Sequence, residues 1–291
     1  MPAREVFGLV LALVAQPDAR ERDPVAFSLR GGASHAFETS PKGRGLGDVA
    51  ISRGHAGALV DVAAGGDPRT RAGLSFDTEV SEYDFSRGGE PVDELFVHRL
   101  GTRYTTPVSG AATLFVGGGV ASSFEPGAEF SESLSYRLFP AALFEAADGF
   151  EIGPGFVFRT EFEDDPFTIP IVPFRWTIDD RWRVGVLDEP RLEVEYRASE
   201  TLTLSLEGGY ERRLYRLDDD GLAPEGAFRD SSVPVGAGAV WRPLSPIEIR
   251  ADVGLHVWRF LEFLDADDGD EIVDFEADPA AFLALEVVVR F

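Results

Sequence analysis

The stretch that decides the fold is Ala281–Phe291, with the sequence AFLALEVVVRF. Counting back by two from Phe291, the side chains are apolar at Val289, Val287, Leu285, Leu283 and Ala281. The other face of the stretch carries the charged side chains of Arg290 and Glu286. Because successive side chains of a β-strand point to opposite faces, this alternation predicts a strand with one apolar face and one partly charged face.

The same alternation recurs along most of the chain. In Pro246–Trp258 the odd positions are apolar, and the even positions include Glu248 and Arg250. Four further segments alternate in this way: Arg71–Val80, Glu151–Glu163, Arg191–Arg197 and Thr201–Tyr210. No window keeps apolar residues at helical spacing for three turns, and 31 Gly and 19 Pro residues disfavour helices. The sequence therefore predicts an all-β fold.

The predicted strands are longer than those of a typical soluble sheet. They run for roughly nine to fifteen residues, whereas strands of globular proteins usually have about five or six. That length is enough for a tilted strand to cross a bilayer. The connections alternate between short turns, such as Ala147–Gly149, and longer acidic or Gly/Pro-rich loops, such as Asp218–Arg229 and Leu264–Asp278. Together these features predict a closed antiparallel transmembrane β-barrel.

The expected number of strands is about 12, with a range of about 10–14. Arg181–Arg197 fits either one kinked strand or two short strands with a tip at 188–190, and a strand at Val25–Ala33 would raise the number. Amphipathic aromatic rings favour a membrane interface, so the tryptophans are expected near strand ends. The residues concerned are Trp176, Trp182, Trp241 and Trp258.

The N-terminus has the pattern of an export signal. Met1–Arg4 carries one basic residue, Val6–Ala15 is an unbroken apolar run, and Gln16–Asp18 ends it. A run of this length is too short for a membrane-spanning helix, which needs about 20 residues. We therefore predict a signal peptide at 1–15, a mobile segment at 16–24 and an outer-membrane β-barrel at 25–291. The expected location is the bacterial outer membrane.

Two resemblances point to the same fold and location. The amphipathic last strand, which ends on Phe291, resembles the signal that bacterial barrel-assembly machinery recognises in outer-membrane proteins. Ile152–Phe156, Leu217–Gly221 and Asp267–Phe291 resemble a domain-of-unknown-function family of outer-membrane barrels from planctomycete-like bacteria. The resemblance implies a barrel in contact with outer-membrane lipid, and it brings no activity and no catalytic residues.

Composition argues against several functions. The chain has 51 acidic and 27 basic residues, and its net charge of −24 repels nucleic acid. It has no cysteine, which removes disulfides, thiolate zinc sites and cysteine nucleophiles. Lys42 is the single lysine, so Schiff-base chemistry and a phosphate-binding loop lysine have almost no candidate. We expect no nucleic-acid partner and no cofactor.

A serine hydrolase that acts on membrane lipid is a weaker alternative. Its mechanism needs a serine whose proton a nearby histidine takes. His256 lies beside Asp252 on the charged face of its predicted strand, and a polar face elsewhere carries Ser131, Ser133 and Ser135. A lipid hydrolase exposes this chemistry to lipid, whereas the charged face is expected to point into the lumen. We therefore interpret His256 as part of a hydrogen-bonded lumen network, and we predict no enzyme activity and no catalytic residue.

Two patterns within the predicted strands have structural interpretations. Glu193 and Glu195 lie about 7 Å apart along one strand face, a spacing that glycosidase carboxylates also use. Arg191 and Arg197 flank them, so a structural ion-pair ladder is the better hypothesis. Gly117–Gly119 lies inside a strand, where it cannot bind phosphate at a helix start, and is expected to allow close packing or bending of the wall.

The acidic loops carry the one hypothesis about metal ions. Leu264–Glu271 is similar to a calcium loop, but with Asp265 as the first ligand the fifth position falls on Gly269, which supplies no side-chain oxygen. This loop and Asp218–Asp220 are expected to hold divalent cations loosely at most. No defined metal site is predicted.

The leading functional hypothesis is a narrow passive pore for small solutes. Charges are costly in lipid, so the alternation places arginines and carboxylates in the lumen. Such a lining either forms a narrow channel or fills a small barrel with ion pairs. The alternative is therefore a structural barrel that displays acidic loops and does not conduct. A soluble secreted β-protein is a further alternative.

Overall fold

A computed structural model of the chain describes residues 25–42, 47–64, 67, 69–86, 91–92, 94–162, 164–186, 191–266 and 269–291. The predicted signal peptide at 1–15 and the segment at 16–24 lie outside the described residues. Within these ranges the chain forms β-strands, with one 3₁₀ turn at Phe130–Ser133 and no α-helix. No helix of this part of the chain has the length and apolar character needed to cross a membrane.

The described strands form a closed antiparallel barrel of 14 strands. Five strands are interrupted, and each counts as one strand because its two parts follow each other along the wall. The strands are β1 (Val25–Thr39, with a short extension at Pro41–Lys42), β2 (Val49–Ala63), β3 (Arg71–Phe85), β4 (Glu94–Ser109), β5 (Ala112–Phe124), β6 (Leu134–Ala147), β7 (Phe150–Ile152 and Gly155–Glu161), β8 (Asp164–Ile171 and Phe174–Thr177), β9 (Trp182–Val186), β10 (Arg191–Arg197), β11 (Leu202–Gly209 and Glu211–Arg216), β12 (Ala227–Leu244), β13 (Ile247–Leu264) and β14 (Glu271–Ala277 and Ala280–Arg290).

The barrel closes between its first and last strands. Ser28 of β1 lies opposite Arg290 of β14, and the pairing continues to Ala36 opposite Phe282. Strands that follow each other in the chain also pair antiparallel around the wall. The number of strands lies at the upper end of the expected range, because Arg181–Arg197 supplies two short strands and Val25–Thr39 supplies a further long one.

The connections divide the barrel into two ends. The turn end contains the connections at 64–70, 110–111, 148–149, 178–181, 198–201 and 245–246. The loop end contains those at 43–48, 86–93, 125–133, 162–163, 187–190, 217–226 and 265–270. Most connections at the loop end are longer, in agreement with the asymmetry that the sequence predicted.

Strand β3 shows how the alternation places its side chains. Leu74 and Phe76 point outward and are about half exposed, whereas Asp77 and Glu79 point inward and are buried. The same arrangement holds on β14, where Leu283 and Leu285 are exposed on the outer face. The outer wall is therefore an apolar band, and the lumen receives the charges.

The polarity of β3 inverts toward the loop end without a break in the strand. Glu82 and Asp84 are exposed on its outer face, while Tyr83 and Phe85 point inward and are buried. Inward apolar residues of eight strands and two loops meet at this level in one cluster, which we call the cap. Its residues are Ala36, Val49, Ile51, Tyr83, Phe85, Val92, Leu95, Val97, Tyr215, Leu217, Ala223, Phe228, Leu261, Phe263, Phe275 and Phe282.

Strand β13 reaches the cap through a β-bulge. Its pairing with β12 shifts where Val233 faces Trp258 and Pro234 faces His256, so the residue between them, Val257, is extra. Such a bulge reverses the parity of the side chains that follow. As a result, even positions up to His256 point inward, and beyond the bulge the inward side chains are the odd ones, such as Leu261.

The tryptophans lie on the outer face. Trp176, Trp182 and Trp241 are close to the ends of β8, β9 and β12, at the turn end, as the sequence predicted. Trp258 lies inside β13 instead, stacked on Phe260 with a ring-centroid distance of 5.9 Å. Its level is the one at which the outer face changes from apolar to charged, so this tryptophan marks the second edge of the apolar band.

Candidate functional site in the barrel lumen

The cap closes the lumen at the loop end. None of its residues is more than 6% exposed, and several are fully buried. The ring of Phe228 packs against Tyr83 and Phe263 at centroid distances of 5.1 and 5.0 Å. These contacts pack side chains of β3, β12 and β13 together, so apolar side chains occupy the barrel axis at this level.

An ionic layer lies directly beneath the cap. Asp230 is fully buried and accepts hydrogen bonds from Arg53 at 2.8 Å, from the Tyr83 hydroxyl at 2.7 Å and from Nε of Arg259 at 3.0 Å. The four residues come from β2, β3, β12 and β13. Two guanidinium groups around one carboxylate leave this layer positively charged unless neighbouring carboxylates compensate it.

Those carboxylates are supplied in the middle of the lumen. Arg213 and Arg191 donate to the Glu211 carboxylate at 3.0 and 2.8 Å. Arg250 donates to Glu207 at 2.8 Å and to Asp252 at 2.9 Å. Two of these pairs join residues two apart on one strand, Arg213 with Glu211 and Arg250 with Asp252. The other two cross between strands, from β10 to β11 and from β13 to β11.

The sequence predicted that Glu193 and Glu195 form ion pairs with the flanking Arg191 and Arg197, and this pairing is wrong for Arg191 and Glu193. Arg191 turns to Glu211 and Glu207, and neither carboxylate oxygen of Glu193 has a hydrogen-bond partner in the described part of the chain. Arg191 lies opposite Gly209 of β11, so its side chain reaches Glu207 and Glu211, the inward residues on either side of that glycine.

The turn end of the lumen is more open, and we call it the vestibule. Arg242 and Arg290 both lie 2.9 Å from the Glu248 carboxylate, and their side chains are 35% and 44% exposed. Arg175 donates to Glu151, and both side chains are about a quarter exposed. The vestibule is therefore a charged chamber that water reaches.

In the part of the chain that the structure describes, the wall is incomplete above the hairpin of β9 and β10. These strands have five and seven residues, whereas β12 and β13 have 18 each. Within the described residues, Asp164–Ile171 of β8 pairs only with β7, and Glu211–Arg216 of β11 pairs along its length only with β12. We call the region between these two free strand edges the wall gap.

The upper part of β11 bends across the barrel at this point. Arg216 pairs in parallel with Phe124 of β5, and Arg212 forms an ion pair with Glu161 of β7 at 2.8 Å. The Arg216 guanidinium lies 5.2 Å from the ring centre of Phe162. This bend narrows the loop end to a smaller ring, which the cap fills, and it leaves the wall gap beside it.

Ile169 lies at the wall gap. It is opposite Val157, which points inward and is buried, yet Ile169 is 48% exposed. An internal cavity of about 100 Å³ lies nearby between β3, β4, β5, β6 and β7 and is bordered by Arg159 and Glu161. Space inside the barrel therefore persists below the cap on the side of the wall gap.

Glycines let the strands around this cavity approach closely. A Cβ atom on Gly119 would lie 2.5 Å from the Leu100 carbonyl oxygen, and one on Gly118 would lie 2.9 Å from that of Arg137. For Gly118 and Gly119 this geometry agrees with the interpretation that they permit close packing of the wall, whereas a Cβ atom on Gly117 would make an ordinary contact at 3.8 Å.

The sequence candidates for hydrolysis do not form a catalytic group. His256 is buried against the ring of Phe282, and its Nδ1 has no hydrogen-bond partner in the described part of the chain. Ser133 bonds instead to Ser122 and to the Phe130 carbonyl oxygen. The sequence predicted that His256 joins a hydrogen-bonded network in the lumen, and for its Nδ1 atom this prediction is wrong.

The acidic loops are organised by local hydrogen bonds. The backbone N–H of Asp220 donates to the Asp218 carboxylate at 3.0 Å, and that of Asp218 donates to Glu125 at 3.3 Å. No group of carboxylates in the described residues has the arrangement of a metal site. Part of the second acidic loop, at 267–268, lies outside the described residues.

Sequence reasoning missed the cap and the wall gap. The signal for the cap is the change from Glu79 inside to Tyr83 inside while the alternation continues. The signal for the gap is the small number of residues from Trp182 to Arg197, which is too few for two strands of full length and the turn between them. Neither requires information beyond the printed sequence.

The fold is similar to solved outer-membrane channels. No protein-family model and no curated protein sequence matches the chain. A FadL homologue from Pseudomonas aeruginosa has 13% identity and a TM-score of 0.47, covering 91% of this chain and 90% of its own. An outer membrane channel from Pseudomonas putida F1 has 9% identity and a TM-score of 0.49, covering 95% and 100%. The KdgM porin, in complex with disordered oligogalacturonate, has 10% identity and a TM-score of 0.39, covering 90% and 99%. At these values the likeness describes barrel shape alone.

Proposed function

We propose that this protein is a bacterial outer-membrane β-barrel that acts as a narrow passive pore for small solutes. The apolar outer band of the wall supports insertion in lipid, since outward residues such as Leu74, Phe76 and Leu285 are about half exposed. The charged vestibule supports a passage for polar solutes. Charged side chains that line a water-filled lumen stay hydrated, and they offer a polar solute a hydrophilic path.

The observation that carries the proposal is the wall gap. The cap closes the barrel axis, so a solute from the vestibule has one remaining exit among the described residues, beneath the bend of β11. Ile169 is exposed on the inner side of this exit, and the ion pair between Arg212 and Glu161 borders it. The route runs from the vestibule past Ile169 to the side of the barrel at the loop end.

Thiol chemistry tests this route, because the chain has no cysteine to give background reaction. Ile169→Cys is refolded, inserted in a planar bilayer and treated with a sulfonated methanethiosulfonate reagent. We expect discrete current steps before treatment and a large drop in current afterwards, since the added group occupies the exit. Leu206→Cys is the matched control, because Leu206 is exposed on the outer face of β11 and lies away from the route.

The outcomes separate the steps of the proposal. Current steps that are insensitive to modification of Ile169→Cys would show a pore with another route. Absence of current steps in every preparation that shows heat-modifiable gel migration would overturn the pore and leave the membrane barrel. A chain that is monodisperse without detergent and shows no gel shift would contradict the membrane barrel itself.

A closed barrel that displays acidic loops is the second candidate function. The cap and the buried ion pairs of Asp230, Glu211 and Arg250 favour it, because a filled interior stabilises a barrel and blocks flow. It predicts no conductance, together with loose calcium binding that is lost when Asp218 and Asp220 are replaced by asparagine. A calcium titration on the wild-type chain and on that double variant distinguishes the two candidates.

The proposal includes export and assembly. Residues 1–15 act as a cleaved signal peptide, and the last strand with Phe291 is recognised by the barrel-assembly machinery. Cell fractionation of a chain without 1–15, and of a chain without Phe291, tests the two parts. We expect the first to stay in the cytoplasm and the second to accumulate in the periplasm, and wild-type levels in the outer membrane would contradict them.

A further inference from the structure

We propose that the vestibule binds and selects small multivalent anions, whose carboxylate or phosphate oxygens are held by a cluster of four arginines. The cluster consists of Arg175, Arg183, Arg197 and Arg242, and we call it the arginine cluster. The selectivity rests on the proposed pore, whereas the binding itself does not, because a closed barrel would still present the vestibule to the periplasm.

The strand register brings the arginine cluster together. Thr177, two residues after Arg175 on the same face, lies opposite Arg183, which in turn lies opposite Glu195 on β10. Arg197, two residues after Glu195, lies opposite Thr203 of β11, and Arg242 of β12 donates to the Thr203 hydroxyl at 3.3 Å. The four guanidinium groups therefore come from four strands and face one part of the vestibule.

The charges of the cluster act on each other. Arg175, Arg197 and Arg242 are all close enough to repel the positive charge of Arg183. Four cations held this close are unfavourable in a partly buried chamber unless anions approach them. The cluster is therefore expected to attract an anion that enters the vestibule.

Among the described residues, four carboxylates of the vestibule, Glu145, Glu151, Glu195 and Glu248, face five arginines, which are the arginine cluster and Arg290. Glu248 is shared between Arg242 and Arg290, and Glu151 is engaged by Arg175. Glu195 is the carboxylate that faces Arg183 most directly. Arg197 is exposed at the end of its strand. This excess is notable in a chain whose net charge is −24, since most of the carboxylates lie elsewhere.

Guanidinium chemistry determines the class of ligand. Arginine presents planar N–H donors that match carboxylate and phosphate oxygens, often in pairs. Several arginines around one chamber favour an anion with more than one such group, because each group engages a different guanidinium. Exposure of the cluster to water also makes the attraction dependent on ionic strength.

The first experiment measures ion selectivity. Wild-type channels in a planar bilayer under a KCl gradient are expected to show a reversal potential that favours chloride over potassium. In Arg183→Gln/Arg197→Gln the ratio of chloride to potassium permeability is expected to fall at least about two-fold, because the lining loses two cations. Arg69→Gln is the matched control, since Arg69 is an exposed arginine at the same end that pairs locally with Asp67. Cation-selective wild-type channels would overturn the selectivity.

The second experiment does not depend on conductance. Calorimetric titration of the full-length mature barrel in detergent with citrate, and separately with inorganic phosphate, measures binding to the arginine cluster. We expect citrate to bind more tightly than phosphate, and both to be lost in the double variant but kept in Arg69→Gln. If no channel opens but citrate binds in this pattern, the pore fails and the anion site stands. If channels open and neither anion binds the wild-type barrel, the anion site fails and the pore stands.

Discussion

The two ends of this barrel are built by the same strands with opposite polarity. Toward the turn end the inner face of β3 carries the charges of Asp77 and Glu79, and its outer face carries Leu74 and Phe76. At the loop end Tyr83 on β3 joins the apolar interior, and the outer face is charged. One end is an ordinary membrane barrel, whereas the other resembles a small soluble β-barrel with an aromatic core.

The difference locates the edge of the proposed membrane within the strands. An apolar outer face is stable where lipid surrounds the wall, and a charged outer face is stable where water does. Once the outer face meets water, the inner face supplies the apolar core that keeps the strands together. The inversion at Val80 to Glu82 therefore marks the level at which the wall leaves lipid, and the cap is the part that projects beyond it.

The largest expected effect concerns the ionic layer that joins the two regions. In Asp230→Ala the guanidinium groups of Arg53 and Arg259 stay buried without their carboxylate. Removing one partner of a buried ion pair costs about 3–5 kcal/mol. Urea unfolding in lipid vesicles is expected to show a loss of that size in the free energy of unfolding.

Asp84→Asn is the control for Asp230→Ala. Asp84 is exposed on the outer face of β3, a few residues from the same layer, and its replacement is expected to leave the unfolding midpoint almost unchanged. Similar losses in both variants would show that the ionic layer has no special role and that the two ends are not joined through Asp230.

The next effect compares two leucines in the two regions. Leu261→Ala in the cap removes a fully buried side chain and leaves a cavity, at a cost of about 3 kcal/mol. Leu206→Ala on the outer band removes the same atoms from a side chain that is 60% exposed and is expected to contact lipid, which refills the space. We expect the cap variant to lose clearly more stability in the same urea titration, and equal losses would show that the cap is loosely packed.

Substitutions that place a charge on the outer face test where the membrane edge lies along β3. Phe76→Arg places a cation in the apolar band and is expected to cost about 2 kcal/mol or more, because the charge enters lipid. Glu82→Arg introduces the same side chain three outward positions nearer the loop end and is expected to cost little. Equal unfolding midpoints for these two variants in vesicles would mean that the inversion on β3 does not mark the membrane edge.

Much of the fold could be predicted because alternation is a local property. The outward apolar positions of β14 and the inward charges of β13 up to His256 follow directly from period two. The strand at Arg191–Arg197 was also visible, although its separation from Trp182–Val186 was left open. The number of strands and the shape of the barrel depend on where each strand stops pairing with its neighbours. The alternation within one segment does not reveal that position.

The lumen was harder to predict because its contacts join residues that are distant in sequence. Asp230 meets Arg53 across 177 positions, and Arg191 meets Glu211 rather than the nearer Glu193. The bulge at Val257 also reverses the side chains that follow it, so Arg259 enters the lumen from a position that simple alternation places outside. Cross-strand register decides these partners, and register follows from the closed barrel as a whole.

The smallest expected effect belongs to the turn end and depends on pH. In the turn at 178–181 the backbone N–H groups of Arg181 and Trp182 donate to Asp179 Oδ1 at 2.7 and 2.8 Å, and they hold the pKa of this carboxyl below its ordinary value. A carboxyl whose pKa is lowered on folding stabilises the folded state above its unfolded pKa of about 3.9, and this contribution is lost as the pH falls through the lowered value.

Asp179→Asn lacks the titrating group, so the difference in thermal midpoint between wild type and this variant should shrink as the pH falls from 7 toward 2. No such change is expected in the cap variant Leu261→Ala. A difference that stays constant over this range would show that the Asp179 carboxylate does not stabilise the turn.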